Sequence, residues 1–188
     1  MERNQIMDGK KMVAAEEKHL IPLDKVNGYD VRPGFYGIKG ATALREGVNF
    51  TVCSLEATAV ELLLYHRGEK KPYAILPFPK HYRIGSVYSM IVFDLDICDF
   101  EYAYRVDGPC IPEKGLIFDK TKPLLDPYAR AVTGQSIWGE QPNQDHEYRA
   151  RVVVNDFDWG NHVDPVRPIQ DLIIYELHVR GFTKDASS

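Results

Sequence analysis

The feature that most constrains this chain is a period of two in its apolar residues between Val48 and Val106. Val48, Phe50 and Val52 alternate with Asn49, Thr51 and Cys53. Val60, Leu62 and Leu64 alternate with Glu61, Leu63 and Tyr65. Val87, Ser89, Ile91 and Phe93 alternate with Tyr88, Met90 and Val92. Phe100, Tyr102, Tyr104 and Val106 alternate with Glu101, Ala103, Arg105 and Asp107. Successive side chains of a strand point to opposite faces, so each run offers an apolar face to a shared core. Turn-prone stretches such as His66-Arg67-Gly68-Glu69 and Asp107-Gly108-Pro109 separate the runs. Short strands at this spacing predict a mainly β chain, with an antiparallel β-sandwich over 31–133. Nothing between 48 and 130 repeats at 3.6, so any helix there is short.

The flanks read differently. Residues 1–30 hold no sustained period and predict a flexible N-terminal arm, closed by the turn signals of Tyr29-Asp30-Val31-Arg32-Pro33-Gly34. Residues 134–170 are polar and mixed, a connector, with a short strand expected near Arg151-Val152-Val153-Val154. From Asp171 the character changes again: Leu172-Ile173-Ile174-Tyr175 is almost continuously apolar. Strands buried on both faces look like this, and they belong mostly to parallel sheets covered by helices. Such a strand needs parallel neighbours, and a (β/α)8 barrel takes about 250 residues. The expectation for 171–188 is therefore the first strand of a truncated barrel.

Composition removes several classes. Hydrophobic residues at 44% and charged residues at 27% are enough for a globular core. A net charge of −4 without any basic run argues against nucleic acid or an acidic membrane as partner. The three cysteines, Cys53, Cys98 and Cys110, form no C-x-x-C and predict reduced, partly buried thiols rather than disulfides or a zinc site. Met1 to Glu17 is charged throughout, unlike a secretory signal, and no apolar run nears the ~20 residues of a membrane span. A cytoplasmic location is expected. The six histidines show no H-E-x-x-H spacing, and no phosphate-cradling glycine loop is present, so no metal or cofactor is expected. The pairs Asp94/Asp96 and Asp156/Asp158 lie near turns, where Asp accepts backbone N–H bonds, and read as turn caps. Glu176 and His178 read as a structural pair on the barrel strand.

Certain stretches also resemble a known family. Gly40-Ala41-Thr42 followed by Gly47-Val48-Asn49-Phe50, then Ala59-Val60-Glu61-Leu62, Tyr102-Ala103-Tyr104-Arg105-Val106-Asp107-Gly108-Pro109, Leu124-Leu125-Asp126-Pro127-Tyr128-Ala129, Asp156-Phe157-Asp158-Trp159 and Ile174-Tyr175-Glu176-Leu177-His178-Val179-Arg180-Gly181-Phe182-Thr183 occur in that order. Together they resemble the N-terminal part of type I pullulanases, isoamylases and glycogen debranching enzymes of the α-amylase superfamily, glycoside hydrolase family 13. The resemblance implies an immunoglobulin-like sandwich of the starch/glycogen-binding type ahead of a barrel, and hydrolysis of α-1,6-glucosidic bonds in the intact enzyme.

Retaining glycosidases need two carboxyl groups about 5–5.5 Å apart. In the family these sit on later barrel strands, so no catalytic residue is assigned to this chain, which is expected to be inactive alone. The partner implied is an α-glucan such as glycogen, starch or pullulan, reached through the intact enzyme and its missing barrel. Sugar platforms are aromatic faces, and 34–130 contains no Trp, since Trp138 and Trp159 fall in the connector. Tyr88 stands where some relatives carry Trp. Tyr65, Tyr73 and Tyr82 are further candidates near loops, and Tyr65, Tyr73 and Tyr88 form the candidate carbohydrate-binding set. A stand-alone, non-catalytic glucan-binding or scaffold sandwich is the alternative.

Overall fold

The computed structural model describes residues 20–134, 148–154, 158–163 and 166–187. Its strands, in chain order, are β1 (Asp24–Val26), β2 (Tyr29–Pro33), β3 (Gly40–Ala43), β4 (Gly47–Cys53), β5 (Ala59–His66), β6 (Ala74–Pro77), β7 (Arg83–Ile84), β8 (Val87–Phe93), β9 (Phe100–Asp107), β10 (Cys110–Ile111), β11 (Leu116–Ile117), β12 (Ala131–Thr133) and β13 (Arg149–Arg151). One sheet runs β1-β2-β8-β4-β3, with β7 also on β8. The other runs β12-β13-β9-β5-β6, and β10 and β11 form a separate small hairpin. Every pairing is antiparallel. The longest ladders join β4 to β8, from Gly47↔Phe93 to Cys53↔Val87, and β5 to β9, from Ala59↔Asp107 to His66↔Phe100.

The core lies between the sheets and follows the period of two. Val48, Phe50, Val52, Tyr88, Met90 and Val92 from one sheet meet Val60, Leu62, Leu64, Phe100, Tyr102, Tyr104 and Val106 from the other. Phe50 is at its centre, edge-on to Tyr102 with ring centroids 5.2 Å apart and tilted against Phe100 at 6.3 Å. Fully burying such side chains contributes about 1.5–3 kcal/mol each. On β8 both alternating sets are buried, because Ser89 and Ile91 on the outer face are covered as well. The covering over Ser89 is polar: Asn49 Oδ1 accepts from Phe35 N at 2.7 Å, Asn49 Nδ2 donates to Thr51 Oγ1 at 3.1 Å, and Thr51 and Ser89 hydroxyls meet at 2.6 Å. A Cβ at Gly34 would collide with Asn49 Oδ1 and Ser89 Oγ, so glycine lets the loop lie flat on the sheet.

Part of the expected N-terminal arm is ordered strand. Residues 24–33 form a hairpin whose turn, Asn27-Gly28, holds both residues at positive φ, 49° and 92°, the requirement of a tight two-residue hairpin loop. Asn27 Nδ2 donates to Ile75 O on β6 at 2.6 Å and so ties the hairpin to the edge of the opposite sheet. Asp24 adds a second tie. Its Oδ2 accepts from Tyr82 OH at 2.7 Å and lies 3.1 Å from His81 Nε2. Those hydrogen bonds, Tyr82 first, hold the Asp24 carboxyl below its ordinary pKa.

The other side of the sandwich is closed by residues 124–129. Leu124 exchanges backbone hydrogen bonds with Tyr104 at 2.7 and 2.9 Å. Asp126 is buried, accepts from Tyr102 OH at 2.7 Å and caps the turn by accepting from Tyr128 N at 2.8 Å. Burial pushes the Asp126 carboxyl above its ordinary pKa, against the pull of those two donors. Beyond it, β13 adds to the second sheet through Ala150↔Tyr102, a little earlier in sequence than the strand expected at 151–154. The three thiols are exposed rather than partly buried, each lying at a strand end or in a loop where the core does not reach.

Residues 1–155 and 156–188 are two compact units. Within the second, the strand expected over 172–179 is absent. A 3-10 turn (Ile169–Asp171) is followed by residues 172–178 without regular structure and by a short helix, α1 (Val179–Phe182). Ile173 is 99% exposed, and Ile174 and Tyr175 are exposed too. A segment apolar on both sides gains stability as a strand only when neighbours pair with its edges and cover both faces, and no described residue pairs with it. His178, expected as a strand residue, instead caps α1, its Nδ1 accepting from Gly181 N at 3.0 Å. Of the carboxylate pairs, Asp96 accepts from Cys98 N and Asp158 from Gly160 N, both at 2.8 Å, as turn caps do. Asp156 lies outside the described residues.

Candidate functional site

The candidate site is at one end of the sandwich, where β5 stops at His66 and the polar loop Arg67-Gly68-Glu69-Lys70-Lys71-Pro72 leads into β6. The loop turns back on a Glu69 N to His66 O hydrogen bond of 3.0 Å, with Gly68 at φ 76°. Tyr73 N then donates to Leu64 O at 2.8 Å, which fixes the backbone from which the Tyr73 ring projects. That ring is stacked on the His66 imidazole, centroids 4.2 Å apart and planes 23° from parallel. His66 Nδ1 lies 3.0 Å from Asp99 Oδ2. Asp99 is placed by the turn between β8 and β9, where its N–H donates to Asp96 O at 3.0 Å. All three side chains reach solvent: Tyr73 is 38% exposed, and His66 and Asp99 are more open still. Burial of part of the phenol, with the nearby Asp99 carboxylate adding to it, pushes the Tyr73 hydroxyl up to about 12.

The other proposed aromatics are elsewhere and buried. Tyr65 is 1% exposed, on the outer face of the second sheet among Leu63 and Ala103, with the Arg149 guanidinium 3.9 Å above its ring centroid. Tyr88 is 3% exposed in the core, its hydroxyl donating to Ala57 O at 2.7 Å while Arg83 lies over its ring at 5.0 Å. Tyr82 is wholly buried and committed to Asp24. None of these three rings offers an open face. For Tyr65 and Tyr88 the reason is local: an aromatic at a strand position beside apolar neighbours gains more by burial than a loop residue such as Tyr73. Trp159 is exposed in the C-terminal unit, 5.6 Å from the His162 ring, and Trp138 lies outside the described residues. Among the described residues no group of three His, Cys, Asp or Glu side chains is placed to hold a metal.

His66 and Asp99 are the members of the cluster that the sequence did not suggest. They are 33 residues apart, and only the pairing of His66 with Phe100 on β9 brings them together. Four residues of the resemblance are structural. Asn49 holds the loop after β2, Asp126 anchors residues 124–129, and Tyr102 and Tyr104 are packed edge to face at 5.8 Å.

Residues 39–129 match the sequence profile of carbohydrate-binding module 48, described as the isoamylase N-terminal domain. This stretch belongs to that family. The module as folded extends past the profile on both sides, taking in the β1–β2 hairpin and β12–β13. The chain is 36% identical over 163 residues to chloroplastic isoamylase SU1 of Zea mays, covering 79% of this chain and 20% of that protein. It is 34% identical over 156 residues to the glycogen debranching enzyme of Pectobacterium atrosepticum, covering 77% of this chain and 23% of that protein. The chain thus spans about a fifth of the length of these relatives. Among solved structures, apo pullulanase from Paenibacillus barengoltzii superimposes with a TM-score of 0.50 over 76% of this chain and 19% of that one, at 21% identity, a likeness of fold. Residues 39–129 are accordingly a carbohydrate-binding module of the isoamylase N-terminal type. The cytoplasmic expectation does not stand, because the maize relative, like isoamylases of Arabidopsis thaliana and Oryza sativa, is chloroplastic. A charged N-terminal stretch argues only against a secretory signal, whereas plastid transit peptides lack a long apolar core in any case.

Proposed function

We propose that this module serves a glycosidase that hydrolyses α-1,6 branch points of glycogen- or starch-like α-glucans, and that the module itself is non-catalytic. Leu172–Val179 is then the first strand of a (β/α)8 barrel whose other strands carry the catalytic carboxyl groups. The observation that carries the reading is the contrast within one chain: Asn49, Tyr102 and Asp126 of the family's motifs already hydrogen-bond inside the sandwich, while Leu172, Ile173, Ile174, Tyr175 and Leu177 are exposed. A stand-alone scaffold has no use for that ribbon, since an open apolar strand invites aggregation.

Direct contact with α-glucan belongs to the same proposal, with Tyr73 as its platform. Of Tyr65, Tyr73 and Tyr88, only Tyr73 keeps ring surface in solvent. Pyranose C–H groups stack on such a surface, and the contact removes apolar area from water.

Two measurements test the proposal. The purified chain should release no reducing ends from pullulan or glycogen, and measurable release would refute the non-catalytic assignment. In affinity electrophoresis through glycogen the chain should be retarded and Tyr73→Ala should be retarded much less. Equal retardation of the two would remove Tyr73 from the site.

A further inference from the structure

The Tyr73 ring is not a loose side chain that a ligand must order. It rests on His66, His66 is held by Asp99, and Asp99 is held by its own turn, so one contact line runs from the β8–β9 turn to the platform. Freezing a rotatable side chain on binding weakens affinity, and a surface already held by its neighbours avoids that cost. The same line leaves polar atoms at the platform's rim. Asp99 uses Oδ2 toward His66, and its side chain is 63% exposed; that of His66 is 54% exposed. A carboxylate with a free oxygen accepts from hydroxyls, and an imidazole nitrogen donates or accepts according to its tautomer. An aromatic surface edged by such groups fits a polyhydroxylated ring, which is apolar on its C–H face and hydrogen-bonding at its margin.

Resting on the proposal that Tyr73 meets α-glucan, we infer that His66 and Asp99 complete that subsite. One glucose unit stacks on the Tyr73 surface left open by the imidazole, and its ring hydroxyls hydrogen-bond to Asp99 and to His66. His66 has two roles here, as a positioning residue beneath the platform and as a hydroxyl partner at its edge. The ligand class is a short α-1,4-linked glucan, neutral and without any requirement for a metal or phosphate.

The test is a titration of the 15N-labelled chain with maltoheptaose, followed by amide NMR. Chemical-shift changes should cluster at His66, Tyr73 and Asp99. Tyr73→Ala should weaken binding about tenfold, and Asp99→Ala about threefold. His66→Phe keeps a ring under Tyr73 but removes the hydrogen-bonding edge, so it should also weaken binding about threefold. All of these substitutions are on the surface and should leave the rest of the spectrum in place. If Tyr73→Ala abolishes binding while Asp99→Ala and His66→Phe bind like the parent chain, the platform stands and this inference falls. If no amide responds to maltoheptaose, the platform and the inference fall together. Shift changes confined to another face of the sandwich would overturn both as well.

Discussion

Two stretches of this chain are similarly apolar and end in opposite states. Phe100 to Val106 alternates, and its apolar residues Phe100, Tyr102, Tyr104 and Val106 are buried between two sheets. Leu172 to Tyr175 does not alternate and is exposed, Ile173 almost fully. The difference shows that pairing and cover, more than apolarity, decide whether a segment becomes a strand. An alternating strand buries one face in a sandwich and leaves the other polar, so a second sheet is sufficient cover. A strand apolar on both sides needs cover on each: β5 and β8 have it, with Leu63, Tyr65 and Ile91 buried on the outer faces as well, whereas Ile173, Ile174 and Tyr175 do not.

The largest effect that would break this comparison is expected at the centre of the core. Phe50→Ala, removing the ring packed on Phe100 and Tyr102, should destabilise the module by about 3–5 kcal/mol. Thermal or urea unfolding would measure it, and a loss under about 1 kcal/mol would mean that the inner face is not packed as described.

Next is Asp126→Ala. It leaves the buried Tyr102 hydroxyl without its acceptor and Tyr128 N without its cap, at a cost of about 1–3 kcal/mol. A neutral result would detach residues 124–129 from the sandwich.

A smaller effect is pH-dependent, and the two acids differ in sign. The Asp126 pKa is raised by burial, so its contribution is complete below the ordinary carboxylate range and is lost as pH rises through the raised value. The Asp24 pKa is lowered by Tyr82 and His81, so its contribution is present above the ordinary range and is lost as pH falls through the lowered value. The difference in Tm between the parent chain and Asp24→Asn should therefore shrink as pH is lowered from about 5 to about 3. A difference that grows on acidification would contradict the clasp.

The smallest effect sharpens the comparison from the other side. Ile173→Ser should change stability by no more than about 0.5 kcal/mol, because the residue makes no buried contact to lose.

How far the fold could be read in advance follows the same division. Val60, Leu62 and Leu64, and Phe100 through Val106, pointed inward as their spacing required. On β8 the spacing was clear but the phase was not, because Ile91 is as buried on the outside as Met90 is inside. The β1–β2 hairpin reads as an arm although Asn27-Gly28 is a strong hairpin signal; strands of three and five residues are too short for a period to show. Tyr73 was legible as a loop aromatic. That Tyr65 and Tyr88 are buried was not, since a tyrosine reads alike on either face until its neighbours are in place. His66 and Asp99 meet only through strand pairing, which no local pattern records.

Amide hydrogen exchange of the intact chain, resolved by residue, tests the two-region account most directly. The account predicts slow exchange at the paired amides of β4, β5, β8 and β9, released together on global unfolding, and exchange close to that of an unstructured peptide at Leu172 to Leu177. Protection over Leu172 to Leu177 equal to that of β9 would contradict it, because the ribbon would then already have found its cover within this chain.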